Sequence, residues 1–231
     1  MNAGCREGKP RGSALLLYTG ADRLSWEMVT VSAETSLEAP SLLIAMPQVL
    51  DPFFHKSVVL LVHQDEEEGS FGLIVNRPTG IRISEILGGL EIGWSGGEEK
   101  AAFFGGPVQP QLGSVLFARR GPSGIGAETT SRLSAVTEIT QDLGLTHHVG
   151  DLGALAEAPP ERLRLYLGYA GWGAGQLMEE ILRDDWLLAP VSDDLVFASD
   201  PDEVWEGALR SVGVDPAALP SWSAGAGAQT N

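Results

Sequence analysis

Between Leu42 and Asn76 the apolar residues fall in continuous runs, not in alternation: LLIAM from Leu42, SVVLLVH from Ser57 and FGLIVN from Phe71. Short apolar runs bounded by turn residues predict buried strands. Pro47 stops the first, because it has no N–H for a ladder. Asp51-Pro52 has the chemistry of a helical-turn start, with a carboxylate to accept free N–H groups and proline at the first position. The acidic segment Gln64 to Ser70 joins the second and third runs, which predicts a hairpin. Val115–Arg119, Leu145–Val149 and Arg162–Gly168 read as further strands, and Gly121–Glu128 as a polar loop.

The period lengthens elsewhere. Ile83–Leu90 predicts a short helix, followed by a glycine- and glutamate-rich loop over Glu91–Lys100. In Gln176–Arg183 the residues Leu177, Met178, Ile181 and Leu182 share one face. Asp200-Pro201-Asp202-Glu203 is a capping start, Val204, Trp205, Ala208, Leu209 and Val212 recur at helical spacing, and Gly213 supplies the stop. Strands come in runs with helices between and after them, which predicts an α+β fold in a single compact domain over residues 39–220. Residues 1–38 read as a poorly ordered extension and 221–231 as a flexible tail.

Charge narrows the function classes. The chain has 231 residues and a formal net charge of -16, so it repels polyanions at long range and direct nucleic-acid binding is not expected. With 43% hydrophobic and 20% charged residues it is globular in composition. No apolar run approaches the roughly 20 residues that span a bilayer, and the single Cys5 suits a reducing compartment, so the expected location is the cytoplasm.

Motifs for chemistry are sparse. No nucleotide fingerprint is present, the four histidines have no metal-ligand spacing, and no cofactor or metal is expected. Gly171-Trp172-Gly173-Ala174-Gly175 before a helix reads either as an anion-holding loop or as a tight corner that lets Trp172 pack. His63 ends a strand near Asp51 or Asn76 and reads either as an acid–base residue or as a histidine bonded to a loop carbonyl. Asn76-Arg77-Pro78 is a strand exit whose arginine can also hold an anion or a partner. Phe53, Phe54, Phe103, Phe104, Tyr169 and Trp172 sit at Gly/Pro corners, where aromatics either form a recognition surface or plug the ends of a core.

Taken together, LLIAMP, DPFFHKSVVLLVH, GLIVNRP, GGPVQ and GYAGWGAGQL followed by EEIL resemble the YqgE/AlgH family of bacterial proteins, in the same order over about Pro40 to Gly213. The resemblance implies a mixed or mainly antiparallel, barrel-like sheet flanked by helices. It also implies the transcriptional-regulator role by which members are described, and no attached activity or cofactor. Family positions recur at Asp51, His63, Asn76, Gly106, Pro107, Trp172 and Gln176, among others. The chain departs from the pattern at Val62 and Met178, where relatives carry acidic residues.

The leading expectation is a non-catalytic binding or regulatory protein that recognises a protein or small-molecule partner. Asp51, His63, Asn76, Arg77, Gly106, Pro107, Trp172 and Gln176 are the candidate surface, with Asp51, His63, Asn76, Arg77 and Trp172 expected to line one concave region. A hydrolase using His63 with a nearby serine or carboxylate is the alternative, and a direct DNA-binding regulator the third reading.

Overall fold

The computed structural model describes residues 37–220. The expected extension and tail at 1–38 and 221–231 lie outside these residues, apart from Leu37 and Glu38. The first half contains β1 Ser41–Ala45, β2 Val58–Asp65, β3 Gly69–Ile74, β4 Pro78–Arg82, α1 Ile83–Gly88, β5 Ala101–Phe104 and β6 Val108–Ala118. The second contains α2 Ala127–Arg132, β7 Thr137–Glu138, β8 Leu143–Thr146, α3 Val149–Glu157, β9 Leu163–Trp172, α4 Gln176–Leu182, β10 Trp186–Ala189, α5 Asp193–Val196 and α6 Pro201–Ser211.

The strands form a curled half-barrel in the order β10-β1-β2-β3-β9-β6-β8-β7, with β5 added to β9 and β4 to β5. Among the described residues every pairing is antiparallel except β5 with β9. The fold is therefore α+β, with a mainly antiparallel sheet and helices around it. β9 is its spine: Leu163–Leu167 pair with β6, while Ala170–Trp172 pair with β3. Gly168, at φ 69°, sits at the changeover.

Burial on both faces explains the continuous apolar runs. Leu42 and Ile44 of β1, with Val58 and Leu60 of β2, enter one core layer along with Val204, Trp205, Ala208 and Leu209 of α6. The alternate residues Leu43, Ala45, Val59 and Leu61 enter a second layer with Leu177, Trp172 and Trp186. A third layer gathers α1 and α3 against Val115, Phe117 and Leu165. Arg164 fastens the segment before α6 to the sheet: its guanidinium donates to Val75 O (2.6 Å) and Ala198 O (2.5 Å) and lies 4.1 Å from the Phe103 ring centre.

Several elements differ from the pattern reading. The strand expected at Leu145–Val149 lies at Leu143–Thr146, and Val149 starts helix α3, which carries Leu152, Ala154, Leu155 and Ala156 into the core. Gly150 and Gly153 break the apolar period there and conceal the helix. β6 begins at Val108, well before Val115, because its register against β9 shifts between Val108 and Gly113 and so admits Pro110. The polar loop from Gly121 ends in helix α2, and β10 adds an edge strand to β1. Helix α6 has the expected ends: Asp200 accepts from Asp202 N (2.9 Å), Pro201 opens the helix and Gly213 takes φ 81° after it.

Candidate functional site

Three of the eight candidate residues hold a turn together. Asp51 Oδ1 accepts from Phe53 N (2.9 Å) and Phe54 N (3.3 Å), and so caps the turn that Pro52 opens. Asn76, buried, clasps the far end of that turn: its Oδ1 accepts from Val58 N and its Nδ2 donates to Lys56 O, both at 2.9 Å. The Arg77 guanidinium donates to His55 O, and His55 Nδ1 lies 3.1 Å from Val49 O. These polar side chains replace missing backbone partners where β2 begins.

Gly106 and Pro107 form the corner between β5 and β6. Gly106 has φ 151°, and a Cβ there would stand 2.1 Å from Tyr169 C and 2.2 Å from Ala170 N. Only glycine lets the corner approach the backbone of β9 this closely.

Trp172 and Gln176 converge on Glu180. Its Oε2 accepts from Trp172 Nε1 (2.9 Å) and Trp186 Nε1 (2.8 Å), and its Oε1 accepts from Gln176 Nε2 (2.9 Å). Gln176 Oε1 in turn accepts from Gly173 N at 3.1 Å, which fixes the glycine-rich turn ahead of α4. Trp172, Trp186 and Phe54 pack with ring centres 5.7–6.3 Å apart. The Gly-Trp-Gly corner thus plugs the second core layer, and its polar atoms are occupied.

His63 belongs elsewhere. A cleft of about 590 Å³ is lined by residues of β2, β3, β6, β7, β8 and β9. Its apolar floor includes Val62, Leu73, Leu112 and Leu145. One wall is an aromatic ladder, with ring centres 6.0 Å apart from His63 to Phe71 and again from Phe71 to Tyr169. Ser114, Gln109, Thr137 and His147 line the remainder, with Glu68 among the contributions of the hairpin. Gln109 holds φ 48°, an uncommon conformation for a non-glycine residue and one that collects at functional sites.

Among the expected five, His63 and Trp172 therefore meet at this cleft, while Asp51, Asn76 and Arg77 are engaged in the turn. His63 makes no side-chain hydrogen bond to a serine or carboxylate among the described residues. Tyr169, Phe71, Ser114, Gln109 and His147 complete the cleft. In the sequence Tyr169 stands out only as a corner aromatic, and Ser114 carries no distinguishing pattern. The cleft joins strands far apart in the chain, and the one signal for it was the clustering of Gly/Pro corners.

Two carboxylates that stand out electrostatically serve local structure. Asp65 accepts from Glu68 N and Glu67 N (both 2.8 Å), and these bonds hold its pKa below the usual value, so the acidic hairpin tip is a self-capped turn. For Asp151, 1% exposed, burial works to raise the pKa, but bonds from Ser134 N, Ala135 N, Thr146 Oγ1 and Ser134 Oγ outweigh it and the net shift is downward. No group of three or more His, Cys, Asp or Glu suited to a metal occurs among the described residues, and none of their helices is long and apolar enough to cross a membrane.

A family model described as AlgH-like matches residues 42–217, which include every strand and helix that lines the cleft. The chain belongs to the AlgH-like family. A UPF0301 protein of Myxococcus xanthus is 39% identical over 182 residues, covering 78% of this chain and 94% of the relative. The solution structure of the AlgH protein from Pseudomonas aeruginosa superposes with a TM-score of 0.61 at 32% identity, over 79% of this chain and 94% of that one. A crystal structure from Corynebacterium diphtheriae shares the fold at a TM-score of 0.58 and 23% identity, over 74% of this chain and 85% of that one.

Proposed function

We propose that this AlgH-like chain is a non-catalytic binding protein of regulatory type, acting in the cytoplasm, whose concave cleft takes a small-molecule partner. The observation that carries the reading is the contrast between the two polar groupings. Around Asp51, Asn76 and Arg77 most side-chain polar atoms bond to backbone groups, while the buried Arg77 Nε and Ser57 Oγ have no partner among the described residues. In the cleft, Ser114, Tyr169, Gln109, His63 and His147 line an apolar floor with no side-chain hydrogen bond to the protein among the described residues. Such groups on an apolar floor characterise ligand pockets, and about 590 Å³ falls within the usual pocket range of roughly 300–1,000 Å³. Direct nucleic-acid contact is not part of the reading, given a net charge of -16.

The test is a thermal-shift screen of the full chain against cellular metabolites, repeated with Leu112→Trp, which fills the cleft from a half-buried position in its lining. A cleft ligand at about a hundred times its Kd adds roughly 2.7 kcal/mol, or about 5–10 °C in Tm for a domain of this size. The wild type shows that rise and the filled variant, folded by circular dichroism, does not. Equal shifts in both proteins overturn the reading.

A further inference from the structure

We infer that the ligand of the cleft is an uncharged aromatic molecule carrying hydroxyl or carbonyl groups; this rests on the cleft being the binding site. Two features of the lining point to it. The first is charge. Among the described residues no lysine or arginine lines the cleft, and the one carboxylate that does is Glu68, from the exposed hairpin tip. A phosphate or carboxylate ligand would lose its hydration without gaining a permanent cation, and a cationic ligand would gain only an exposed counter-charge. Apart from Glu68, the available partners are imidazole, amide and hydroxyl groups. Among them Ser114 is 7% exposed and donates to no group among the described residues, so a hydroxyl or carbonyl in the cleft would complete its bonding.

The second is the shape of the wall. Phe71 stands between His63 and Tyr169, tilted by 33° to the former and by 73° to the latter. Phe71 and Tyr169 are only partly buried, so ring surface faces the cleft. A flat ring slides against such a ladder in offset or edge-to-face contact, which an aliphatic ring of the same volume cannot match. Leu112 and Leu145 add apolar lining to the same cleft. The backbone corner at Gln109, held at φ 48°, brings an amide side chain to the lining without a charge.

Isothermal titration calorimetry with three probes tests this: naphthol, naphthyl phosphate and decahydronaphthol. Naphthol is expected to bind at least about fivefold more tightly than either of the others, the saturated ring losing the aromatic contact and the phosphate its hydration. Phe71→Leu should remove most of the preference for naphthol over decahydronaphthol, and Ser114→Ala should weaken naphthol by about fivefold. Leu112→Trp should abolish all binding.

If naphthyl phosphate or decahydronaphthol binds as tightly as naphthol and Leu112→Trp blocks it, the cleft stands as a site and the aromatic, uncharged class is wrong. If no probe binds, or binding survives Leu112→Trp, the class and the site both fall.

Discussion

Glu180 is the residue whose removal tests the packing account most sharply. Its Oε2 accepts from two indoles, at 2.9 and 2.8 Å. Trp172 and Trp186 are only 6% and 5% exposed, so water cannot readily replace the carboxylate. A hydrogen bond to a charged acceptor contributes about 1.5–3 kcal/mol, and orphaning a buried donor costs about 1–3 kcal/mol. Glu180→Ala loses both bonds and leaves two indole N–H groups unpaired, a loss of about 3–5 kcal/mol. Glu180→Gln keeps one carbonyl oxygen to accept, in neutral bonds about half as strong, and should cost about 1–2 kcal/mol. For a domain of this size, with a urea dependence of roughly 2–3 kcal/mol/M, the alanine variant lowers the midpoint by about 1–2 M and the glutamine variant by about half as much. Urea denaturation followed by far-ultraviolet circular dichroism measures both, and the near-ultraviolet tryptophan bands should weaken in step. A midpoint shift below about 0.3 M for Glu180→Ala would refute the argument that this carboxylate organises the Gly-Trp-Gly corner.

Two further predictions come from the backbone and from Asp151. Gly106→Ala places a Cβ 2.1–2.3 Å from backbone atoms of Tyr169 and Ala170, which no rotamer relieves, and should cost at least about 3 kcal/mol. Gly153→Ala, inside α3 with nothing within 4 Å of the new Cβ, should instead gain about 0.5–1 kcal/mol by helix propensity; thermal denaturation of the pair reads opposite signs. The folded Asp151 carboxyl takes up its proton below its ordinary value of 3.8, so its contribution is complete above that pH and is lost as the pH falls through the lowered folded value. Asp151→Asn should lower Tm at neutral pH and narrow the gap to wild type as acid is added; a gap that stays constant down to the acid transition contradicts the assignment.

How far the chain could be read depended on whether its partners were near in sequence. β1 and β2 were legible because burial on both faces leaves no polar alternation, and α6 because its cap, its apolar face and its glycine are contiguous. α3 was hidden, since Gly150 and Gly153 sit where an amphipathic helix would carry larger residues. Asn76 and Arg77 stand in the sequence as polar residues beside a proline, yet their partners at Lys56, Val58 and His55 lie 18–22 residues away and are backbone groups. The cleft was legible only in fragments. Phe71, Tyr169, Ser114 and His147 meet through the strand order β3-β9-β6-β8, and that order is fixed by long-range pairing that no local pattern encodes.

The most direct measurement of the central claim is a backbone amide correlation spectrum of the isotope-labelled protein titrated with naphthol. The account predicts saturable shifts confined to the cleft, at Phe71, Gln109, Ser114, His147 and Tyr169, with the Asp51–Ser57 turn unmoved. Shifts centred on Asp51, Asn76 and Arg77 with the cleft silent would contradict it.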